Sequence, residues 1–294
     1  MNRRVFLLAS SASALAQVPS ERVNMGLIGA GGRGKRVMAE FLKDPSADFK
    51  AVCDVYEPNL EAGLSAAGPG TKAYRNYKQL LDDPTIDAVL IATPDHWHAT
   101  MTLDAVAAGK DVYIEKPVCH KIDEGKRLID GVRATDRIVQ VGMQRRSYNL
   151  YAEARDFRRA GRLGTVRMVR TYWLNHHGWP RKREFTGPIG WEQWTGPAGP
   201  APKDPNRFFN WVQISDYAGG IVQGQGVHIF DSIHMVMDAG WPLAVNASAN
   251  KDDIPGTDQP VAMVVIAEYP QDFMAIFTIN YTAMRYEMRS DQLN

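Results

Sequence analysis

Three glycines and one aspartate near the amino end of the chain have the types and spacing needed to bind a dinucleotide. Gly29, Gly31 and Gly34 follow the G-x-G-x-x-G pattern, and Asp54 comes twenty residues after the last of them. The first glycine permits a tight turn, the second lets a pyrophosphate approach the backbone, and the third lets a helix pack on a strand. A carboxylate at Asp54 can accept a hydrogen bond from a ribose 2′-hydroxyl and would repel a 2′-phosphate. The sequence therefore predicts a site for NAD, with NADP disfavoured.

The elements that must position these residues are recognisable in the flanking sequence. Residues 23–28 have the composition of a buried strand and 33–42 that of a helix, so the glycines lie at the turn between them. Strands and helices continue to alternate as far as Gly142, which predicts a doubly wound parallel sheet, a Rossmann fold. Ligands of such sheets bind beyond the carboxyl ends of the strands. We therefore expect binding residues directly after the strands, at 93–98, 115–117 and 143–146.

The second half of the chain predicts an α+β domain with an open, mostly antiparallel sheet. Its β-rich runs are 165–174, 261–269 and 273–282. A helix is expected at 227–237, and the last two strands form a hairpin-like pair. The region 175–210 is a long loop rich in Trp, Pro and Gly, which is unusual in a compact domain and predicts a substrate-binding segment.

The first sixteen residues have the features of a twin-arginine export signal. Arg3 and Arg4 precede an apolar run from 5 to 16 that ends in the A-x-A cleavage pattern of residues 14–16. This run is shorter than the roughly 20 residues needed to span a bilayer. We therefore predict cleavage before Gln17, a periplasmic mature protein and no membrane span.

Composition excludes several classes of protein. The 34 lysines and arginines balance the 33 aspartates and glutamates, so there is no basic field for nucleic acid. Two cysteines are too few for a disulfide scaffold, and no Cys/His spacing is typical of a metal site. The length after residue 16 suits two domains, which we place at 17–142, binding NAD, and 143–294, binding substrate and mediating oligomerisation.

Three further motifs resemble those of the Gfo/Idh/MocA oxidoreductases. They are P-x-x-x-H at Pro94 and His98, the Glu-Lys-Pro tripeptide at 115–117, and Gly-Gly-x(7)-His ending at His228. With the glycine turn, they extend the resemblance over 25–294. The resemblance implies a Rossmann domain, an open-faced sheet domain, and NAD(P)-linked chemistry at the hydroxyls of sugars or polyols.

The resemblance also implies a longer chain and an assembly. Relatives of this type usually continue past the region matching 291–294, so we expect this chain to be truncated and incomplete at its carboxyl end. The strand at 273–282 would then be an edge strand, which is prone to aggregation. Family members often pair through the face of the open sheet, so a homo-oligomer is expected.

The resemblance assigns catalytic roles to Lys116 and His228. Lys116 would orient the substrate and share proton transfer, since partial desolvation beside a cofactor lowers the pKa of a lysine. A neutral imidazole at His228 could accept the proton of the reacting hydroxyl. The expected cofactor-binding residues are Gly29, Gly31, Arg33, Gly34, Asp54, Thr93, Pro94, His98, Glu115 and Lys116.

Candidate substrate-binding residues are Arg145, Tyr148, His177, Arg207 and Asp231. Aromatic rings and imidazoles near His177 could line a sugar site, or that region could be a packed loop corner. Arg207 is equally suited to a structural ion pair. Asp231 lies at i+3 from His228 and could orient its ring.

One position departs from the family pattern. Many dehydrogenases of this family place an aspartate four residues before the histidine, and this chain has Gly224 there, with Gln223 and Gln225 as imperfect substitutes. The first expectation is an NAD-dependent oxidoreductase acting on a sugar, glycoside or cyclic polyol. Two alternatives stay open: a redox-neutral NAD-dependent glycosidase or lyase, and a non-catalytic NAD- and sugar-binding protein or fragment.

Overall fold

Six parallel strands form the first sheet in a computed structural model that describes residues 22–175, 182–250 and 255–282. The predicted export signal and His177 lie outside these ranges. The strands are β1 (Val23–Ile28), β2 (Ala47–Cys53), β3 (Lys72–Tyr74), β4 (Ala88–Ile91), β5 (Asp111–Ile114) and β6 (Val139–Val141). Their order is β3-β2-β1-β4-β5-β6. Strands β2 and β3 therefore lie on one side of β1, and β4 to β6 lie on the other. The predicted doubly wound fold is confirmed.

Helices cover both faces of this sheet. They are α1 (Gly32–Phe41), α2 (Glu57–Ala67), α3 (Tyr77–Leu81), α4 (Asp95–Ala107) and α5 (Ile122–Arg133). All four residues of β4 are buried, as expected for a strand that is covered on both sides. Ile28 and Ile91 belong to one core, whereas the neighbouring Leu27 and Leu90 belong to the other, because successive side chains of a strand point to opposite faces.

The second domain contains a four-stranded mixed sheet. Its elements are α6 (Asn149–Arg159), β7 (Met168–Leu174), α7 (Trp191–Thr195), α8 (Pro205–Phe209), α9 (Val227–Met237), β8 (Ala244–Ala249), β9 (Ala262–Tyr269) and β10 (Phe273–Asn280). The strand order is β7-β10-β9-β8. The β8–β9 and β9–β10 pairings are antiparallel, in agreement with the prediction, and the β7–β10 pairing is parallel.

The expectation that the last strand is an unpaired edge is wrong. β10 lies inside the sheet, where Phe277 pairs with Thr171 of β7 on one side and with Val265 of β9 on the other. The hairpin pattern reveals only the neighbour that is adjacent in sequence. The parallel partner β7 comes much earlier in the chain, and no local sequence pattern indicates that the two strands pair.

The two faces of the second sheet differ in burial. On one face α9 packs Ile229 and Ile233 against a core that includes Phe277. The other face leaves Tyr172 and Val264 exposed, together with Met274. The sheet therefore has one covered and one open apolar face, as is common for antiparallel arrangements.

Residues 183–217, which we call the aromatic segment, pack against the first domain. The backbone N–H of Glu57 donates to the carbonyl of Pro188 (2.9 Å), and that of Gly190 donates to the carbonyl of Val55 (2.8 Å). Trp194, Ile214 and Tyr217 form a buried core within the segment. The segment is thus fixed beside the carboxyl end of β2.

Candidate functional site

The three glycines of the turn serve three different needs. Gly29 has φ +90°, and a Cβ there would lie 2.7 Å from the carbonyl oxygen of Ala92. A Cβ on Gly34 would meet the carbonyl oxygen of Gly29 at a clashing distance. Among the described residues, the nearest atom to a Cβ on Gly31 would be the amide nitrogen of Asn59 at 3.9 Å. Gly29 therefore allows the turn, Gly34 allows the packing, and Gly31 leaves bare backbone beside a cavity.

Helix α1 begins at this turn with Gly31 as its N-cap, a residue with no side chain to cap the helix. The amide groups of the first helical turn are therefore available to an anion, and the helix dipole favours negative charge there. This arrangement suits the pyrophosphate of a dinucleotide.

Asp54 joins the glycine turn to the segment after β2. Its Oδ2 accepts from the backbone N–H of Ala30 (2.8 Å), and its Oδ1 accepts from that of Tyr56 (2.9 Å). Burial raises the pKa of Asp54 to about 6, while the backbone hydrogen bonds act in the opposite direction. The carboxylate lines the cavity and, being ionised at neutral pH, can accept a further bond from a ribose hydroxyl.

A cavity of about 400 Å³ lies between the glycine turn and the aromatic segment. The first domain contributes Gly29, Gly31, Arg33, Asp54, Thr93 and Pro94 to its wall, all of them predicted cofactor-binding residues. The opposite wall comes from Trp194, Phe208, Phe209 and Trp211 of the aromatic segment. The described part of the loop that the sequence predicts to bind substrate thus lines the same cavity as the glycine turn.

Arg33 and Glu115 form an ion pair at one end of this cavity. The Arg33 Nη2 lies 2.6 Å from the Glu115 Oε1, and the Glu115 side chain is only 4% exposed. Arg33 lines the cavity, and Glu115 holds its guanidinium from behind. Glu115 therefore positions the guanidinium that faces the cavity.

His98 does not occupy the cofactor-contacting position that the sequence predicts. It is 1% exposed, with Nδ1 2.5 Å from the carbonyl oxygen of Pro117 and Nε2 2.9 Å from that of Thr93. Because both ring nitrogens face backbone carbonyls, the side chain ties the residues after β4 to those after β5. His98 therefore positions the loops that carry Thr93 and Lys116.

Lys116 reaches from the first domain to the second. Its Nζ donates to the carbonyl oxygen of Gly224 at 2.9 Å. Burial lowers the pKa of Lys116, and the negative charges of Asp95 and Glu115 act in the opposite direction. Gly224 lies in a π-helical turn, Val222–Gly226, that leads directly into α9.

His228 lies in the first turn of α9 and is 8% exposed. Its Nδ1 is buried and has no hydrogen-bond partner among the described residues. Burial lowers the pKa of His228 to about 4, and the positive charges of Lys116 and Arg145 act in the same direction. The imidazole is therefore neutral at neutral pH and able to accept a proton.

Asp95 lies within the expected binding range 93–98, but sequence reasoning gives it no role; it is a buried acid near Lys116. It is the first residue of α4, directly after Pro94, and is 5% exposed. Burial raises the pKa of Asp95 to about 7, and Lys116 acts in the opposite direction. Its place after a strand's carboxyl end, inside the P-x-x-x-H motif, is a signal that could have identified it.

The predicted substrate-binding residues have mixed outcomes. Arg145 lies 5.0 Å over the ring of Trp173 and has a partly buried side chain near His228, while Tyr148 is 60% exposed. Asp231 does not orient His228, because it is ion-paired with Arg146 at 2.7 Å. Arg207 is ion-paired with Asp216 at 2.8 Å, which is the structural alternative. His177 lies outside the described residues.

The described part of the chain shows no group of three or more His, Cys, Asp or Glu side chains that could hold a metal ion. Over the same ranges, no helix is both long and apolar enough to cross a bilayer.

The fold and the glycine turn define a dinucleotide-binding domain of the doubly wound class. Residues 23–143 match GFO_IDH_MocA, the oxidoreductase family with an NAD-binding Rossmann fold. The first domain is therefore similar to this oxidoreductase family, and the match agrees with the predicted NAD cofactor.

Among the curated relatives, two match about half of this chain or less. The chain is 30% identical over 153 residues to the uncharacterized oxidoreductase YrbE of Bacillus subtilis, covering 51% of this chain and 44% of YrbE. It is 30% identical over 125 residues to glycosyl hydrolase family 109 protein 1 of Shewanella sp. strain MR-4, covering 40% of this chain and 27% of that protein. The alignments thus span less than half of either relative.

The fold extends to solved structures at lower identity. The WlbA dehydrogenase of Bordetella pertussis, crystallised with NADH and UDP-GlcNAcA, superposes with a TM-score of 0.73 at 18% identity. The match covers 90% of this chain and 74% of WlbA. At this identity the likeness establishes the two-domain fold.

Proposed function

We propose that this protein is an NAD-dependent oxidoreductase that transfers hydride between the nicotinamide and a ring carbon of a sugar, glycoside or cyclic polyol. The main support for the proposal is the hydrogen bond from Lys116 to the carbonyl of Gly224. Gly224 lies in the turn that leads to His228, and the bond lies beyond the carboxyl ends of the strands in the first sheet. The complex of WlbA with NADH and UDP-GlcNAcA supports a sugar-like substrate class.

The residues present fit a dinucleotide. Gly31 leaves backbone open toward the cavity, the start of α1 offers free amides to phosphate, and Asp54 offers a carboxylate to a ribose. When bound, NAD supplies the hydride acceptor. Arg33, held by Glu115, adds a positive charge at the same wall.

Lys116 and His228 have different roles toward the reacting hydroxyl. As the C–H bond breaks and its electron pair leaves as hydride, the hydroxyl must lose its proton to become a carbonyl. The neutral imidazole of His228 accepts that proton, and the Lys116 ammonium orients the oxygen and stabilises its developing negative charge. Arg145, beside His228, is proposed to contact a further hydroxyl of the substrate.

The test is nicotinamide fluorescence of the purified protein with NAD and a panel of sugars, polyols and aryl glycosides. We expect a substrate-dependent rise in reduced nicotinamide. His228→Asn and Lys116→Met should each lower kcat/KM by about 100-fold or more, the usual contribution of a general acid or base. His234→Asn changes the same residue type on the same helix and is the matched control. Equal activity of His228→Asn and His234→Asn would contradict the proposal.

A redox-neutral glycosidase is the second candidate. Gly224 offers a carbonyl where the family pattern offers a carboxylate, and one relative is named a glycosyl hydrolase. In such a cycle, transient oxidation of a ring hydroxyl acidifies the neighbouring C–H, and loss of that proton permits elimination of the aglycone. Water then adds across the double bond that elimination leaves, and the hydride returns to the carbonyl carbon. Release of an aryl alcohol from an aryl glycoside without accumulation of reduced nicotinamide would select this cycle.

We also propose that the protein is exported, on the strength of Arg3, Arg4 and the A-x-A pattern. Expressed with its native amino terminus, the periplasmic protein should begin at Gln17 by intact-mass measurement. Recovery of the folded protein only from the cytosol, with Met1 retained or removed but no further cleavage, would contradict export.

A second copy of the chain is proposed to cover the open face of the second sheet. The support is the exposed apolar row that includes Tyr172 (56%), Val264 (37%) and Met274 (37%). Light scattering should report a homo-oligomer, and Val264→Lys should shift it toward the monomer. An unchanged molar mass for this variant would place the interface elsewhere.

A further inference from the structure

The wall that the aromatic segment adds to the cavity faces a particular part of the dinucleotide. Asp54 marks the position of the adenosine ribose, because a carboxylate at the end of the second strand binds the ribose hydroxyls in this fold. Asn59 also lines this cavity, and the rings of Phe208 and Phe209 pack against Tyr56, two residues after Asp54, with centroids 5.0 and 6.3 Å away. The aromatic segment therefore covers the adenosine half.

The segment is held firmly in this place. The indole N–H of Trp97 donates to the carbonyl of Trp194 (2.8 Å), and the Nε2 of His96 donates to the same oxygen (3.0 Å). Tyr56 hydroxyl lies 2.9 Å from the hydroxyl of Thr186. These bonds join the aromatic segment to the first domain, so the segment lies over the cavity before any ligand binds.

Its lining is suited to a purine. Phe208 and Phe209 pack edge to face, with centroids 5.0 Å apart, and the guanidinium of Arg183 lies 5.8 Å from the Phe209 ring. Aromatic side chains stack on the flat π face of a base, and this contact does not depend on the hydrogen-bonding groups at the edges of the base. Phe209 is only partly buried, so it has surface left to give to a ligand.

We propose that the aromatic segment is a built-in cover over the adenosine half of the cofactor site, which retains the dinucleotide through many turnovers. Phe208 and Phe209 supply the stacking surface, and His96 and Trp97 anchor the cover through Trp194. The inference rests on the NAD-binding class of the first domain and does not depend on the proposed sugar chemistry.

The experiment follows the release of NADH from the full-length protein in the absence of any sugar. Tryptophan-to-NADH energy transfer is monitored in stopped flow after a chase with excess NAD. Phe209→Ala should release NADH about tenfold faster than the wild type, the effect of losing one aromatic stacking partner. Phe157→Ala makes the same chemical change on α6, away from the cavity, and should release NADH at the wild-type rate.

A second measurement asks which half of the cofactor the cover holds. AMP binding should weaken about tenfold in Phe209→Ala, whereas nicotinamide mononucleotide should bind both proteins alike. Should Phe209→Ala fold poorly, Phe209→Leu keeps apolar volume without a ring and should show the same pattern. Equal NADH release from wild type, Phe209→Ala and Phe209→Leu would overturn the proposal, even if sugar oxidation is observed.

Discussion

The ammonium nitrogen of Lys116 donates a 2.9 Å hydrogen bond to the backbone carbonyl of Gly224. This bond joins the end of β5 in the first domain to the π turn before α9 in the second. The family pattern places a carboxylate at the residue that here supplies a carbonyl. A carbonyl can orient the ammonium group but cannot neutralise it or exchange a proton with it.

Gly224→Asp should be tolerated and should raise dehydrogenase activity. Among the described residues, a Cβ at this position would have nothing within 4 Å. A carboxylate beside Lys116 favours its charged form and offers a proton-relay group, so kcat/KM for sugar oxidation should rise about tenfold, at the low end of acid–base effects. The free energy of unfolding should change by about 1 kcal/mol or less.

Gly224→Asn is the matched control for this variant, since it has the same shape without the charge. Steady-state kinetics with NAD and the preferred sugar measure both. If Gly224→Asp and Gly224→Asn change kcat/KM by the same factor, the negative charge at this position has no effect on activity, and the prediction is wrong.

Asp54 should make cofactor affinity depend on pH. Its pKa is raised to about 6, so the carboxylate becomes protonated and loses acceptor capacity as the pH falls through that value. NADH affinity should therefore decline below about pH 6 by about tenfold. Fluorescence titrations with NADH on either side of pH 6 measure the effect.

Asp54→Asn should remove this pH dependence and narrow the preference for NADH over NADPH, because the charge that repels a 2′-phosphate is gone. The variant should also lose about 1–3 kcal/mol of stability, since an amide has one acceptor oxygen for the two N–H groups of Ala30 and Tyr56. A wild-type-like pH profile in this variant would show that another group titrates.

Local spacing was sufficient to predict the fold of the first domain and the place of the glycine turn in it. Gly29, Gly31, Gly34 and Asp54 lie within one β-α-β unit, so their roles follow from short-range geometry. The identities of Lys116 and His228 came from motif resemblance. Their meeting through Gly224 depends on the packing of two domains.

Contacts between distant parts of the chain could not be predicted. The aromatic segment lies far from Asp54 in sequence, yet Phe209 shares its cavity, and no periodicity indicates that. Asp231 fits an i+3 partner of His228 by helical spacing, but Arg146, 85 residues earlier, takes its carboxylate. Local patterns therefore indicate which side chains could interact, but the contacts actually formed depend on ion pairs between residues far apart in sequence.

His98 should behave as a positioning residue in mutagenesis. The buried, neutral imidazole donates to one of the carbonyls of Thr93 and Pro117, so His98→Ala leaves that carbonyl unpaired and removes a buried ring, which should lower the free energy of unfolding by about 2–4 kcal/mol. Urea unfolding measures this loss, and His120→Ala, a half-buried neighbour of the same type, is the control. A drop in NADH affinity with unchanged stability would instead indicate direct contact with the cofactor.

His96 should make the protein acid-labile through the aromatic segment. Burial lowers its pKa to about 4, against an ordinary value of 6.5, so the unfolded state binds more protons between these values. Stability is therefore fully present above pH 6.5 and decreases as the pH falls toward 4, by roughly 3 kcal/mol for this group. His228, whose pKa is also about 4, contributes in the same range.

His96→Gln isolates the contribution of this residue, since its side-chain amide can still donate to the carbonyl of Trp194 but does not titrate. Urea unfolding at a series of pH values, followed by tryptophan fluorescence, should give a slope reduced by up to about 1.4 kcal/mol per pH unit, which corresponds to one proton. A slope equal to that of the wild type would mean that His96 is already solvated in the folded protein. In that case the bond from His96 to Trp194 would not anchor the aromatic segment.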